Sequence, residues 1–385
     1  MLAGLRQRLH APLSRRAVRE LLHAVFCPFV AQRAVLLIVA YFATFLIKTE
    51  VVGWRALPHV PFFDGWLRWD SYYYLLIATE GYGRTAWGNP NTFFPLYPWL
   101  IRLLAPLLSA PVAALVVAHL ATLIGLCLLY AIARRLYDPP LAQRAVWAAL
   151  LFPSAYFLAA GYSESTYLAT AAGAYLAWLH RRHGTAIVLA AAATLARPVG
   201  AFCFSVPFVV GWLVQRSRRD PPWIVAGPLL GGAILAATYY LSTGSALAPF
   251  RVPYEDLFGD PLSYRPSPES WWAVLADEGL CTHLMLRLLN WGAIALVVSA
   301  GVALLRQRQV ELALIAWLPV AVPLLLQRSL LNTMSFARFA LVAFPLFFVL
   351  ARWGRDGNRA RVLGVACAML QICLAICFIT WRWAE

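Results

Sequence analysis

Charge is scarce in this chain. Only 13% of its 385 residues are Asp, Glu, Lys or Arg, against about a quarter in a soluble domain. Hydrophobic residues make up 62%, and the mean hydropathy is +0.68. An ordinary water-soluble enzyme is excluded, and a bilayer becomes the main solvent. Acid is scarcer than base: 17 Asp and Glu face 32 Lys and Arg, for a net charge of +15, and Lys48 is the only lysine. No nucleic-acid motif accompanies this excess. The arginines sit in short stretches between apolar runs, where they set membrane orientation rather than bind a polyanion. The seven cysteines, Cys27, Cys127, Cys203, Cys281, Cys367, Cys373 and Cys377, form no C-x-x-C pair, so no metal site or disulfide framework is expected. Low-complexity tracts and nucleotide-binding loops are absent. So is a convincing internal repeat, which weakens a transporter reading. Residues 1–33 carry Arg6, Arg8, Arg15, Arg16 and Arg19 without a clean apolar core. They predict a basic amphipathic segment on the cytoplasmic surface and no cleavable leader.

What is abundant is apolar sequence in runs. Measured against the roughly 17–25 residues of a membrane helix, the runs predict about eleven segments, the shortest being broken or re-entrant. The expected fold is an all-α polytopic membrane domain over 34–385. Two polar loops, 53–110 and 243–287, would carry short interfacial helices. Basic clusters place the N-terminus in the cytoplasm and both loops on the outer face of a plasma (inner) membrane. Residues 185–214 lie between two basic clusters and are too short for two full spans. Pro198 disfavours continued helix, so a break at Arg197-Pro198 is expected.

The hydrophobic pattern stops at residues 64–98, DGWLRWDSYYYLLIATEGYGRTAWGNPNTFFPLYP. Asp64, Asp70 and Glu80 stand there among aromatics, glycines and prolines. Aromatic faces pack on the C–H faces of a sugar while a carboxylate takes a hydroxyl proton. An interfacial aromatic belt would look similar, but acids six residues apart favour chemistry. Ionisable residues at membrane depth or facing an outer cavity extend the candidate set: Arg84, Arg102, Glu164, Arg197, Arg328 and Arg338. Arginine forks bind phosphate, so acids and arginines on one face suit an anionic lipid substrate. Each has a plainer alternative. Arg102 and Arg328 can snorkel to headgroups, and Glu164 can favour its helix dipole. His119 and His180 carry no ligand spacing.

Four stretches carry a family resemblance. The first is Trp69-Asp70-x-x-Tyr73-x-x-x-Ile77-Ala78-x-x-Gly81-Tyr82, followed by Phe93-Phe94-Pro95-x-x-Pro98. The second is Phe152-Pro153-Ser154-Ala155 with Tyr162-Ser163-Glu164. The third is Thr194-Leu195-Ala196-Arg197-Pro198-x-Gly200, and the fourth is Ser335-Phe336-Ala337-Arg338-Phe339. Together they resemble the membrane mannosyltransferase family that includes GPI mannosyltransferase 2, and within it the bacterial branch. Ala337 departs from the proline usual in the fourth stretch. The resemblance implies a GT-C bundle with an essential acid in the first outer loop. It also implies a polyprenyl- or dolichyl-phosphate sugar donor, typically of mannose, and inversion at the sugar.

Site roles then follow as expectations. Asp70 is the base, with Asp64 as its rival. Arg197, Arg338 and Arg102 hold the donor phosphate. Trp69, Tyr73 and Tyr74 line the sugar site, and Glu164 binds the acceptor or positions an arginine. Expected partners are membrane lipids, the lipid-phosphate donor and a glycolipid, glycan or protein acceptor, with no nucleic acid. No redox cofactor or nucleotide is needed. A divalent ion near the acids is compatible but not required. Rival readings are a flippase or transporter of lipid-linked saccharides, a membrane scaffold, and an enzyme using another lipid-linked sugar.

Overall fold

The computed structural model of the chain describes residues 19–47, 54–83, 90–214, 221–250, 278–326 and 335–382. Arg84, Arg328 and most of the second polar loop lie outside the described residues. Those described are nearly all helical and include no strand.

The first helix, α1 (Arg19–Leu46), carries a π-turn at Leu22–Phe26. Residues 1–18 of the expected N-terminal segment lie outside the described residues, and the helix runs unbroken from Arg19 through residue 33. Arg33 is buried there, with Nη2 donating to Leu158 O at 2.8 Å. Short helices follow: α2 (Pro61–Asp64), α3 (Ser71–Thr79) and α4 (Leu96–Leu108). Then come α5 (Ala110–Leu136), α6 (Pro139–Leu151), α7 (Glu164–Leu179) and α8 (His183–Ala196). The helix breaks at Arg197-Pro198, as the proline predicts, and resumes as α9 (Val199–Cys203) and α10 (Val206–Val214). The remainder is α11 (Ala226–Thr243), α12 (Glu278–Arg306), α13 (Val310–Leu326), α14 (Phe336–Val342), α15 (Pro345–Trp353) and α16 (Gly357–Ile379).

Among the described residues, five helices are long and apolar enough to cross a membrane: α1, α5, α16, the run Trp223–Thr243 that contains α11, and Met285–Arg306 of α12. Helices α14 and α15 make a sixth if counted together, but they bend by 92°. The apolar run 339–351 is therefore broken. Pro345 takes the first position of α15, where its fixed φ and missing N–H start a new helix rather than continue the old one.

Residues 152–163 fold into the protein: Ala155 to Leu158 form a 3-10 turn, and Tyr156, Phe157 and Tyr162 are fully buried. Leu158 O accepts from Arg33 and from Thr122 Oγ1 in the middle of α5. Protein donors, rather than water, satisfy this irregular backbone inside the bundle. One glycine permits the approach. A Cβ on Gly161 would lie 2.6 Å from Leu67 Cδ2, and the Gly161 N–H donates to Trp66 O at 2.9 Å. This contact sets Tyr162-Ser163-Glu164 against the first loop.

Candidate active site

The first loop delivers Asp70 through a left-handed residue. Trp69 has φ +53, a conformation that costs a non-glycine residue about 1–2 kcal/mol. Its ring packs on Trp381, centroids 5.3 Å apart. The Asp70 N–H donates to Tyr162 Oη at 3.2 Å. Helix α3 follows, with Ser71, Tyr74, Leu75 and Ala78 on its buried face, the i, i+3, i+4, i+7 pattern of an amphipathic helix. Tyr74 Oη pairs with Ser163 Oγ at 2.8 Å. Tyr73 stacks on Phe93 with centroids 4.7 Å apart and planes 14° from parallel. Burial, and then the Asp70 charge, push the Tyr73 phenol above its ordinary range, since both disfavour the phenolate.

Glu164 opens α7 and is completely buried. Its Oε1 accepts from Arg197 Nη1 and from Arg338 Nε. Arg338 also donates from Nη1 to Asp70 Oδ2 at 2.7 Å. One continuous chain results, Asp70–Arg338–Glu164–Arg197, drawn from the first loop, α14, the start of α7 and the break after α8. The Arg338 guanidinium lies 4.4 Å from the Tyr162 ring centroid and 5.1 Å from that of Phe157. Arg197 lies 5.7 Å from the Phe339 ring. Aromatic faces thus hold both guanidiniums in a largely dry site. Arg197 owes its position to Gly200: a Cβ there would meet Ala193 O at 2.4 Å, so only glycine lets the chain turn back against α8.

Two charges of each sign balance the chain, and its members differ in access. The Asp70 side chain is 28% exposed, against 7% for Arg338 and none for Glu164. Glu164 Oε2 and Thr166 Oγ1 are buried and have no hydrogen-bond partner among the described residues. Such groups are costly, and a substrate hydroxyl would satisfy them.

Asp64 and Arg102 sit apart from this chain. Asp64 is buried, and its carboxylate accepts from the N–H groups of Ala56 and Leu57, each at 2.8 Å, and from Arg68 at 2.6 Å. Arg102 donates to Ala78 O at 2.6 Å and Ile77 O at 3.2 Å, capping the last turn of α3. Among the described residues, no group of three or more His, Cys, Asp or Glu is placed to hold a metal ion.

Three residues escaped the sequence reading. Arg68 was signalled only by its i,i+4 spacing from Asp64. Asn290 was signalled only as a lone amide beside an apolar run; its Oδ1 accepts from the Ala337 N–H at 2.8 Å. Trp381, beneath Trp69, had no local signal.

Residues 58–216 match the family described as mannosyltransferase (PIG-V). No curated protein matches the chain. Among solved structures it is similar to the Archaeoglobus fulgidus oligosaccharyltransferase in complex with Zn and sulfate. That likeness has 13% identity and a TM-score of 0.47, over 91% of this chain and 53% of the other. It is also similar to the archaeal oligosaccharyltransferase AglB from Archaeoglobus fulgidus, in complex with an inhibitory peptide and a dolichol-phosphate. There the identity is 13% and the TM-score 0.43, over 92% of this chain and 55% of the other. The chain therefore spans about half the length of the solved structures it matches. The family match and the apolar helices together support a membrane glycosyltransferase.

Proposed function

We propose that this protein moves a sugar, mannose by its likeness to the matched family, from a polyprenyl-phosphate donor to an acceptor hydroxyl at the outer face of the membrane, with inversion. A GT-C bundle of about eleven segments, with its N-terminus in the cytoplasm and an interfacial first loop, is the topology that serves this reading. The observation that carries it is the Asp70–Arg338–Glu164–Arg197 chain, which joins the most exposed carboxylate of the set to two guanidiniums of the kind that bind phosphate.

In the reaction the acceptor oxygen bonds to the anomeric carbon as the bond from that carbon to the phosphate oxygen breaks. The bonding pair leaves with the phosphate, and the acceptor proton passes to Asp70. The donor phosphodiester has one negative charge and the released monophosphate approaches two. Arginines aimed at that phosphate therefore stabilise the transition state more than the ground state.

Inversion requires attack opposite the leaving group, so the sugar must lie between base and phosphate. The direct bond from Asp70 to Arg338 leaves no room for it. Donor binding must open that bond, and Glu164 keeps Arg338 anchored through Nε when Asp70 lets go. Glu164 Oε2 accepts a substrate hydroxyl. Asp64 serves as the loop's structural anchor and Arg102 as the cap of α3.

The test is transfer of radiolabel from polyprenyl-phosphate mannose in membranes, comparing wild type with Asp70→Asn. Label reaching a new product with wild type and lost with Asp70→Asn supports the reading. If wild type transfers nothing from this donor while a lipid-linked saccharide crosses the bilayer in a flipping assay, the reading falls.

A further inference from the structure

Two tryptophans in left-handed backbone face each other beside Asp70. Trp69 has φ +53 and Trp381 φ +62, and their rings meet with centroids 5.3 Å apart and planes 62° from parallel. A bulky residue with positive φ is a genuine outlier, and such strain persists only where the surroundings over-determine it. Here each strained residue supports the other's ring, immediately before the acid proposed as base. An aromatic that only marks the membrane boundary needs neither the left-handed backbone nor a partner of the same kind.

The end of α16 presents the second ring. Its last four carbonyls, from Ile376 to Ile379, all find donors. Ile376 O accepts from the Thr380 N–H at 3.0 Å, Phe378 O from the Trp381 N–H at 3.3 Å and Cys377 O from the Arg382 N–H at 2.9 Å. The last two bonds are the pair that closes a helix through a left-handed residue, usually glycine. Trp381 occupies that place. The fourth carbonyl, Ile379 O, accepts from Arg68 Nε of the first loop at 3.2 Å. The Arg68 guanidinium lies 4.9 Å from the Trp381 ring centroid, and its Nη1 bonds Asp64. Gly65 completes the seat: a Cβ there would stand 2.8 Å from Ile379 Cγ2.

We propose that Trp381 is a positioning residue for sugar transfer: through the ring of Trp69 it holds the Asp70 backbone in the register that aims the carboxylate at the acceptor hydroxyl. This rests on Asp70 being the proton acceptor, as proposed above. The Asp70 side chain must leave Arg338 when the donor binds, and its aim then depends on its backbone. That backbone has two supports, Tyr162 Oη at the Asp70 N–H and the Trp381 ring against Trp69. The proposed phosphate-binding groups hang from other elements, Arg338 from α14 and Arg197 from the break after α8. Loss of the Trp381 ring therefore slows the chemical step more than it weakens donor binding.

The test is steady-state transfer from polyprenyl-phosphate mannose by the full chain, comparing Trp381→Gly, Trp381→Leu and Trp381→Phe with wild type. Glycine removes the ring and suits the left-handed position better, so a role confined to the helix end would gain from it. Leucine keeps bulk without an aromatic face, and phenylalanine keeps a face. The expected result is a fall in kcat of about 10²-fold for Trp381→Gly, as for a small misplacement of a reacting group, with KM for the donor within about twofold of wild type. Trp381→Phe should recover most of the loss and Trp381→Leu little. A kcat near wild type in Trp381→Gly, or a change in KM alone, overturns the proposal. So does loss of the fold in both Trp381→Gly and Trp381→Leu, because the ring then serves the fold as a whole. Amide hydrogen exchange supplies a readout independent of transfer. Residues 68–72 should exchange about tenfold faster in Trp381→Gly, with α7 unchanged. Unchanged exchange over 68–72, or equal acceleration in α7, overturns the proposal. Faster exchange confined to 68–72, in a protein whose wild type transfers no sugar, overturns the transferase reading and leaves the support of Asp70 by Trp381 standing.

Discussion

Arg338 Nη1 lies 2.7 Å from Asp70 Oδ2 across 268 residues of sequence, while its Nε holds Glu164. A planar fork can serve two carboxylates in fixed directions at once; an ammonium cannot. Arg338→Lys is therefore expected to keep the charge and lose the geometry. Transfer should fall about 10²-fold, as for removal of one preorganised donor to developing charge. Kinetics on the purified variant check this, and near-wild-type transfer would show that point charge alone suffices.

Glu164, itself fully buried, joins two guanidiniums. Glu164→Gln leaves both without their shared counter-charge. Breaking a buried ion network by removing one partner costs about 3–5 kcal/mol. The variant should denature at a clearly lower temperature than wild type in detergent. Glu164→Asp, which keeps the charge on a shorter stem, should recover part of the loss.

Asp64 and Asp70 stand six residues apart, yet their substitutions should separate cleanly. Asp64 is saturated by two backbone N–H groups and Arg68. Asp64→Asn should destabilise the first loop by several kcal/mol, because a buried arginine loses its partner, while folded molecules retain turnover. The Asp70 side chain is 28% exposed. Asp70→Asn should leave unfolding nearly unchanged and lower transfer by about 10²–10⁴-fold. Paired unfolding and transfer assays decide, and an inactive but stable Asp64→Asn would reverse the two roles.

Much of this site was legible because its residues violate the pattern around them. An acid or arginine in a greasy run is expensive, so Glu164, Arg197 and Arg338 stood out before any coordinates were known. Pro198 announced the break that frees Arg197. Burial was not legible. Residues 152–163 carry turn-like Pro, Ser and Gly, yet Leu158 O is met inside the bundle by Arg33 and Thr122, donors remote in sequence. Partner choice was equally hidden. Nothing local says that Arg102 reaches the carbonyls at the end of α3 while Arg338 reaches Asp70.

Gly161 is the point where that buried turn meets the first loop. An added methyl group would stand 2.6 Å from Leu67 Cδ2 and 3.2 Å from Ser71 Oγ. Gly161→Ala should cost about 1–3 kcal/mol through overpacking. It should also shift Ser163 and Glu164 relative to α3, lowering transfer by more than the loss of folded protein explains. Activity normalised to folded fraction is the measurement.

The first loop also sets an alkaline limit. Burial pushes the phenols of Tyr73, Tyr74 and Tyr82 above their ordinary value, which is near 10 in an exposed tyrosine. A proton held more tightly in the folded state than in the unfolded one stabilises the fold below the unfolded pKa. That contribution is lost as pH rises through the folded pKa. Wild type should therefore hold a flat stability across neutral pH and lose it above about pH 10. Tyr74→Phe should flatten that alkaline slope. It should also cost about 0.5–1.5 kcal/mol at neutral pH, because Ser163 loses its hydrogen bond. Tyr73 is neutral over the same range, so Tyr73→Phe should leave every limb of the pH–rate profile below about pH 9 in place. Removal of such a limb would make Tyr73, rather than Asp70, the group that exchanges a proton with substrate.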